Sequence, residues 1–97
     1  MVNKEQVYER LQTVMDPELH IDIVSLGLIY GVTVSQHQIR VVMTLTTPGC
    51  PLAPVIDRMI KEAIEPLGMP VELELVWDPP WTNELMSEEA KLQLGML

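Results

Sequence analysis

The single cysteine of the chain, Cys50, is the residue best suited to chemistry, and it lies in the stretch TLTTPGCPLAP at residues 44–54. Gly49 leaves room for a close backbone approach, and Pro51 fits the first position of a helix, where a missing N–H costs little. A helix N-terminus lowers the pKa of a thiol and favours its thiolate. The spacing therefore predicts a thiol presented at a helix start, and a small buried cysteine is the alternative.

A nucleophilic role for Cys50 would need a base, and the chain contains two histidines, His20 and His37. The position of His37 in a predicted hairpin turn indicates a solvated side chain. His20 lies in a predicted loop from which it could approach the thiol, but the sequence does not require this. A thiol enzyme is therefore the weaker hypothesis, and we expect a protein that is not an enzyme.

A metal site is the other possible use of Cys50. One thiolate cannot hold an iron–sulfur cluster or a structural zinc ion, each of which usually takes four ligands. Such a site would have to be shared across a dimer, lent by a partner, or completed by the carboxylates of Asp16, Glu18 or Asp22. These acids also suit turns and caps, which is the alternative interpretation. A labile site of this kind fits a carrier or adaptor better than a redox enzyme.

Composition excludes several classes of partner. The chain has 97 residues and a formal net charge of −8, with six Lys and Arg residues. A single domain spanning 1–97 is expected at this length. Binding to nucleic acid or to an anionic membrane surface is disfavoured because it needs clustered positive charge. No apolar run reaches the length of a membrane span, and one cysteine forms no internal disulfide, so a cytoplasmic protein is predicted.

Elements that position Cys50 follow from the hydrophobic pattern. Asn3 and Gln6 form a predicted capping box for a first helix that ends before Asp16. Two β-rich runs at 28–34 and 39–46, separated by four polar residues, predict an antiparallel hairpin.

A second helix is predicted to follow the proline-rich corner, TTPGCP at residues 46–51. Its apolar residues recur at helical spacing, and Pro66 and Gly68 end it. Residues 71–77 alternate as a strand with one solvated face, and Ser87 caps a last short helix. The order α–β–β–α–β plus a C-terminal helix predicts an α+β fold with a small mixed sheet covered by helices on one face.

Three segments taken together resemble a known family: DPELHIDIVSLGLIYGV (16–32), MTLTTPGCPLA (43–53) and VWDPPWT (76–82). In the same order and spacing they are similar to the SufT/PaaD-like family of small metal–sulfur cluster biosynthesis proteins, over about residues 4 to 97. The resemblance implies a compact α+β fold like the C-terminal, iron–sulfur cluster assembly domain of NifU-type scaffolds. It also places the motif cysteine of that family at Cys50.

Site residues follow from the same resemblance. We expect Cys50 to be the metal ligand, and the cofactor-binding residues to be Cys50, Asp16, Asp22, Thr47 and Gly49. The DPPWT segment suggests a surface for partners, and the residues expected there are Asp78, Pro80 and Trp81. Trp81 suits either a packed lid or a binding anchor.

The function implied is an iron–sulfur cluster assembly or maturation factor. It would help deliver clusters or iron to client proteins through one exposed cysteine at a helix N-terminus. A transient iron ion or cluster, shared between chains or with a partner and not permanently bound, is expected. The expected partners are iron–sulfur client proteins or the cluster-assembly machinery, and a homodimer is expected as well. The alternative is a metal-free adaptor subunit of a multicomponent oxygenase of the phenylacetyl-CoA type. Members of that branch usually carry a cysteine-rich C-terminal part, whereas this chain has no cysteine after Cys50.

Overall fold

The computed structural model describes residues 2–17, 19–45 and 53–95. Six helices and strands follow one another in the predicted order, with short 3-10 turns at Glu65–Leu67 and Asn83–Leu85. They are α1 (Lys4–Leu11), β1 (Ile29–Val34), β2 (Ile39–Met43), α2 (Ala53–Ile64), β3 (Val71–Leu75) and α3 (Glu88–Gln93). The predicted α+β class is confirmed.

Helix α1 begins at the predicted capping box. The Asn3 side chain accepts a hydrogen bond from the backbone N–H of Gln6 at 2.9 Å, and the Gln6 side chain accepts one from the Asn3 N–H at 3.0 Å. These two contacts satisfy donors that a helix start leaves without partners. Val7 and Leu11 lie one turn apart and are both fully buried. The helix is thus held by its cap at one end and by one apolar face along its length.

The sheet has three strands in the order β1-β2-β3. β1 and β2 form the predicted antiparallel hairpin, whereas β2 and β3 are parallel, so the sheet is mixed as expected. A parallel pair needs a crossover, and α2 provides it. Alternate residues of β2, namely Ile39, Val41 and Met43, are buried on the face that α1 and α2 cover.

Helix α2 packs on the sheet through Ile56, Ile60 and Ile64, which recur every four residues and are buried. This recurrence places all three on one face of the helix. The chain then leaves the helix in a 3-10 turn that contains Pro66 and ends at Gly68, whose φ of 78° is left-handed. The predicted helix end is therefore confirmed, and the turn directs the chain into β3.

The C-terminal segment folds back over the loop that precedes β1. Ser87 caps α3 by accepting a hydrogen bond from the Ala90 N–H at 3.1 Å, as predicted, and its own N–H donates to the Ser25 carbonyl at 2.8 Å. Met86 and Ala90 are buried there. Within the described residues, no helix is both long and apolar enough to cross a membrane.

Candidate functional site

The corner that carries Cys50 joins two well-packed elements. Thr47, Gly49 and Cys50 belong to residues 46–52, which lie outside the described residues, so the predicted helix cap at Cys50 stays a prediction. The described chain stops at Leu45, which is buried, and resumes at Ala53 in α2. Leu45 and Ala53 line one cavity of about 270 Å³. Both ends of the corner are therefore anchored beside the same apolar space.

Asp16 organises the loop after α1. Its Oδ1 accepts a hydrogen bond from the Leu19 N–H at 2.9 Å, and its backbone carbonyl accepts one from the His20 N–H at 2.9 Å. The Asp16 N–H donates in turn to the Ile21 carbonyl at 2.9 Å, which closes the turn. The residue is 8% exposed. Asp16 thus makes the turn-forming contacts that the alternative interpretation of this acid required.

Asp22 stabilises the next turn of the same loop. Its Oδ2 accepts a hydrogen bond from the Ser25 N–H at 2.9 Å, and its backbone pairs with Met15 in an isolated bridge. An ionised carboxylate has about four acceptor sites, so one N–H contact leaves Asp22 able to bind a cation as well. The turn role and the ligand role are therefore compatible for Asp22.

A polar pocket of about 180 Å³ lies between this loop and α3. Asp22 lines it together with His20, Ser25, Glu89 and Gln93. His20 adopts a left-handed φ of 58°, and its side chain is exposed. Among the described residues, no three His, Cys, Asp or Glu side chains are grouped closely enough to hold a metal ion. Glu18, the third candidate acid, lies outside the described residues.

The DPPW segment is held by hydrogen bonds at Pro79 and at Trp81. The Trp81 indole N–H donates to the Leu26 carbonyl at 2.8 Å, and its ring packs partly buried against the core. The Tyr30 hydroxyl donates to the Pro79 carbonyl at 2.8 Å, and the Asp78–Pro79 peptide is cis. Trp81 therefore makes the contacts expected of a packed lid, and its role as a partner anchor stays a prediction.

Exposure separates the remaining residues of this segment. Asp78 and Pro80 are exposed, as a partner surface requires. The sequence reasoning missed Trp77, which is 40% exposed, as is Leu75 two positions earlier. The alternation in VELELVW gave no signal of this exposure, because residues two apart in an extended chain point to the same side, and Trp77 therefore shares the apolar side of the predicted strand. Trp77 is thus the more accessible of two tryptophans.

Comparison with solved structures shows which class of fold the chain has. A domain of unknown function from Bacillus anthracis, termed DUF59, superposes with a TM-score of 0.90 and 39% identity, covering 97% of this chain and 92% of that one. The chain therefore has the fold of this small α+β domain. The sequence then assigns the family. Residues 4–74 match the model of the iron–sulfur cluster assembly protein family, and the chain belongs to that family.

Two relatives of nearly equal length are named as Fe-S protein maturation auxiliary factors. The chain is 45% identical over 96 residues to the Fe-S protein maturation auxiliary factor YitW of Bacillus subtilis, covering 96% of this chain and 94% of that protein. It is 46% identical over 86 residues to the corresponding factor SufT of Staphylococcus aureus, covering 86% and 98%. The resemblance to the SufT/PaaD-like family is confirmed.

A more distant relative represents the oxygenase branch. The chain is 31% identical over 91 residues to one component of the putative 1,2-phenylacetyl-CoA epoxidase of Escherichia coli, covering 92% of this chain and 55% of that protein. The likeness thus extends across this chain but only about half of that epoxidase component.

Proposed function

We propose that the protein is a non-enzymatic maturation factor that helps assemble iron–sulfur clusters, or deliver clusters or iron, on client proteins. The observation that carries this proposal is the end-to-end similarity to two Fe-S maturation auxiliary factors of almost the same length. Each match covers most of both chains, so the similarity extends over nearly the full length of the relatives that carry this name, which supports the proposal.

Cys50 is the proposed ligand for the cargo. It is the one thiol of the chain, and iron and its clusters prefer thiolate ligands. A single thiolate holds such cargo weakly, which suits transfer and does not suit permanent storage. A homodimer or a client cysteine supplies the remaining ligands, and Asp16 and Asp22 contribute carboxylates to the same region.

Substitution of Cys50 tests the ligand role directly. We expect anaerobic incubation with iron and sulfide to produce sulfur-to-iron charge-transfer absorbance in the native protein and none in Cys50→Ser. In cells, Cys50→Ala should lower cluster loading of client enzymes while Glu84→Gln, an exposed substitution far along the chain, leaves it unchanged. Normal client loading with Cys50→Ala would remove Cys50 from the proposal.

The two carboxylates need a substitution that separates their turn contacts from their charge. Asparagine retains an oxygen that accepts from the Ser25 N–H, so Asp22→Asn preserves the turn and removes the negative charge. We expect weaker iron uptake with an unchanged unfolding midpoint. Iron uptake equal to that of the native protein would mean that Asp22 has only a structural role. Asp16→Asn is the same test for Asp16, because asparagine can still accept the hydrogen bond from the Leu19 N–H.

Dimer formation is tested by sedimentation. If two Cys50 thiolates share the cargo, anaerobic addition of iron and sulfide should increase the dimer fraction of the native protein and not that of Cys50→Ser. Cargo uptake by a species that sediments as a monomer would instead assign the missing ligands to small-molecule thiols or to the client.

The second candidate function is that of a metal-free adaptor subunit in a phenylacetyl-CoA type oxygenase. The similarity to the Escherichia coli epoxidase component favours it. Stable binding to oxygenase subunits, with no iron uptake and no effect of Cys50→Ala, would establish this function in place of the first. In that case we expect substitutions at Asp78, Pro80 or Trp81 to weaken the complex.

A further inference from the structure

We infer that the free edge of β3 and the neighbouring face of α2 form a docking groove for an extended segment of a partner protein. The segment would join the sheet as a fourth strand, with apolar and basic side chains in alternation. This inference concerns recognition of a polypeptide and does not depend on cargo chemistry at Cys50.

The groove is a continuous feature of the described structure. Two adjoining cavities of about 560 and 270 Å³ follow the junction of α2 and β3, and Pro54 and Asp57 line both. Its walls include Pro54, Asp57, Arg58, Lys61 and Glu62 from α2, and Val71, Leu73 and Leu75 from β3. It therefore extends along the whole of β3, or about 17 Å at 3.4 Å per residue.

Hydrogen bonding favours an extended occupant. β3 pairs with β2 on one side and is the last strand of the sheet, so its other edge is unpaired within the described part of the chain. Backbone N–H and C=O groups along such an edge can pair with an added strand. Leu75 at the end of the groove is also 40% exposed, although leucine gains by burial.

The alternation of β3 determines which side chains the added strand needs. Val71, Leu73 and Leu75 face the groove, so Glu72 and Glu74 face the opposite side of the sheet. Glu74 is paired with Arg40, whereas the hydrogen bond of Glu72 is to the neutral Gln38. A strand beside β3 is therefore stabilised by apolar residues on the α2 side and by a lysine or arginine opposite Glu72.

The same glutamates disfavour a second copy of this chain as the occupant. In a twofold antiparallel pairing of two β3 strands, the registers that pair most of the strand place Glu72 or Glu74 opposite a glutamate of the partner. Like charges directly opposite one another destabilise a strand pair. The negative charges of Glu72 and Glu74 therefore favour a basic segment of a different protein over a second copy of this chain.

Binding of designed peptides tests the inference. The probe is a seven-residue peptide with blocked ends in which lysine and valine alternate, and the controls are a glutamate–valine peptide and a lysine–valine peptide in block order. We expect saturable binding of the alternating basic peptide by fluorescence anisotropy and at least tenfold weaker binding of both controls. Amide chemical-shift changes should concentrate on Val71–Leu75 and on the α2 face that lines the groove.

Backbone methylation separates strand addition from simple attraction to an acidic protein. Successive N–H groups of a strand point to opposite edges. Two peptides are therefore made, one methylated on the backbone nitrogens that face β3 and the other on the nitrogens that face away, and only the first should be unable to pair with β3. We expect one of the two methylated peptides to lose binding and the other to retain it. Equal binding of both would contradict the inference.

Substitution of Glu72 on the protein is a further test of the inference. One cross-strand pair of opposite charges changes an equilibrium constant by about 1.4- to 5-fold. We therefore expect about threefold weaker binding with Glu72→Gln and about tenfold weaker with Glu72→Lys. The matched control, Glu84→Lys, makes the same charge change outside the groove and should alter binding less than about twofold because of screening. Equal effects of the two lysine substitutions would refute the inference.

Discussion

Substitution of Gly27 by alanine is the sharpest test of how the C-terminal segment is held. Gly27 has a left-handed φ of 78°, and a Cβ built on it would meet the backbone of Leu85, 2.7 Å from the carbonyl carbon. Real Cβ atoms essentially never approach so closely, and a backbone group cannot move aside as a flexible side chain can. Gly27→Ala must therefore displace the turn Asn83–Leu85.

The cost of Gly27→Ala has two parts. An alanine in the left-handed region costs about 1–2 kcal/mol. Displacement of the turn also strains the hydrogen bonds from Trp81 to Leu26 and from Ser87 to Ser25, each worth about 1 kcal/mol, and exposes part of the buried Met86. The sum is about 3–5 kcal/mol, a large fraction of the roughly 5–15 kcal/mol that stabilises a domain.

Gly68→Ala supplies the matched control. Gly68 has the same φ of 78°, but nothing lies within 4 Å of a Cβ built on it. It therefore bears the conformational cost of about 1–2 kcal/mol without the clash. Gly31, which also has open space around its Cβ position and no left-handed φ, should tolerate alanine with a change within about 0.5 kcal/mol.

Urea unfolding followed by circular dichroism and tryptophan fluorescence measures the difference. With a slope of about 1.5 kcal/mol per molar urea, Gly27→Ala should lower the midpoint by about 2–3 M and Gly68→Ala by about 1 M. If the two variants lost equal stability, the close approach of Leu85 to Gly27 would contribute nothing to stability, and the C-terminal segment would not be held by this contact.

Substitutions at three further positions test other parts of the fold by the same unfolding assay. Trp81→Phe removes the hydrogen bond to Leu26 and leaves a carbonyl without its donor, so a loss of about 1–2 kcal/mol is expected, and no loss would show that water replaces the indole N–H at the Leu26 carbonyl. Asn3→Ala removes the α1 cap and should cost about 1 kcal/mol, whereas Asn3→Asp should cost little, because aspartate also caps well. Ile60→Ala opens a cavity in a fully buried site and should cost about 2–5 kcal/mol, and a smaller loss would mean that the core relaxes around it.

Elements set by neighbouring residues were predictable from the sequence. The α1 capping box needs only Asn3 and Gln6, and the end of α2 needs only Pro66 and Gly68, so each signal lies within a few residues. The hairpin was predictable for the same reason, since period-2 alternation marks both strands and a polar turn joins them. The mixed sheet follows because a helix between two strands favours a parallel pair.

Contacts between distant residues were not predictable. Trp81 binds the Leu26 carbonyl across 55 residues, and no local pattern indicates that partner. The requirement for glycine at Gly27 is likewise imposed by Leu85, far along the chain. For the candidate site, the types of Asp16 and Asp22 were informative, but their turn contacts appear only when the loop is folded. The exposure of Trp77 depends in the same way on what the rest of the chain leaves uncovered.

The proposed cargo ligand and the proposed docking groove are connected through the start of α2. Cys50 precedes Ala53 by three residues, so covalent geometry keeps their Cα atoms within about 11 Å of each other. Ala53 lines the cavity at the Leu75 end of the groove. A partner segment paired with β3 would therefore hold its own protein close to Cys50, and binding would replace a search through solution by a local one. The two proposals nevertheless fail separately, because Glu72→Lys should weaken docking without changing iron uptake in the isolated protein, while Cys50→Ser should abolish uptake without changing peptide affinity.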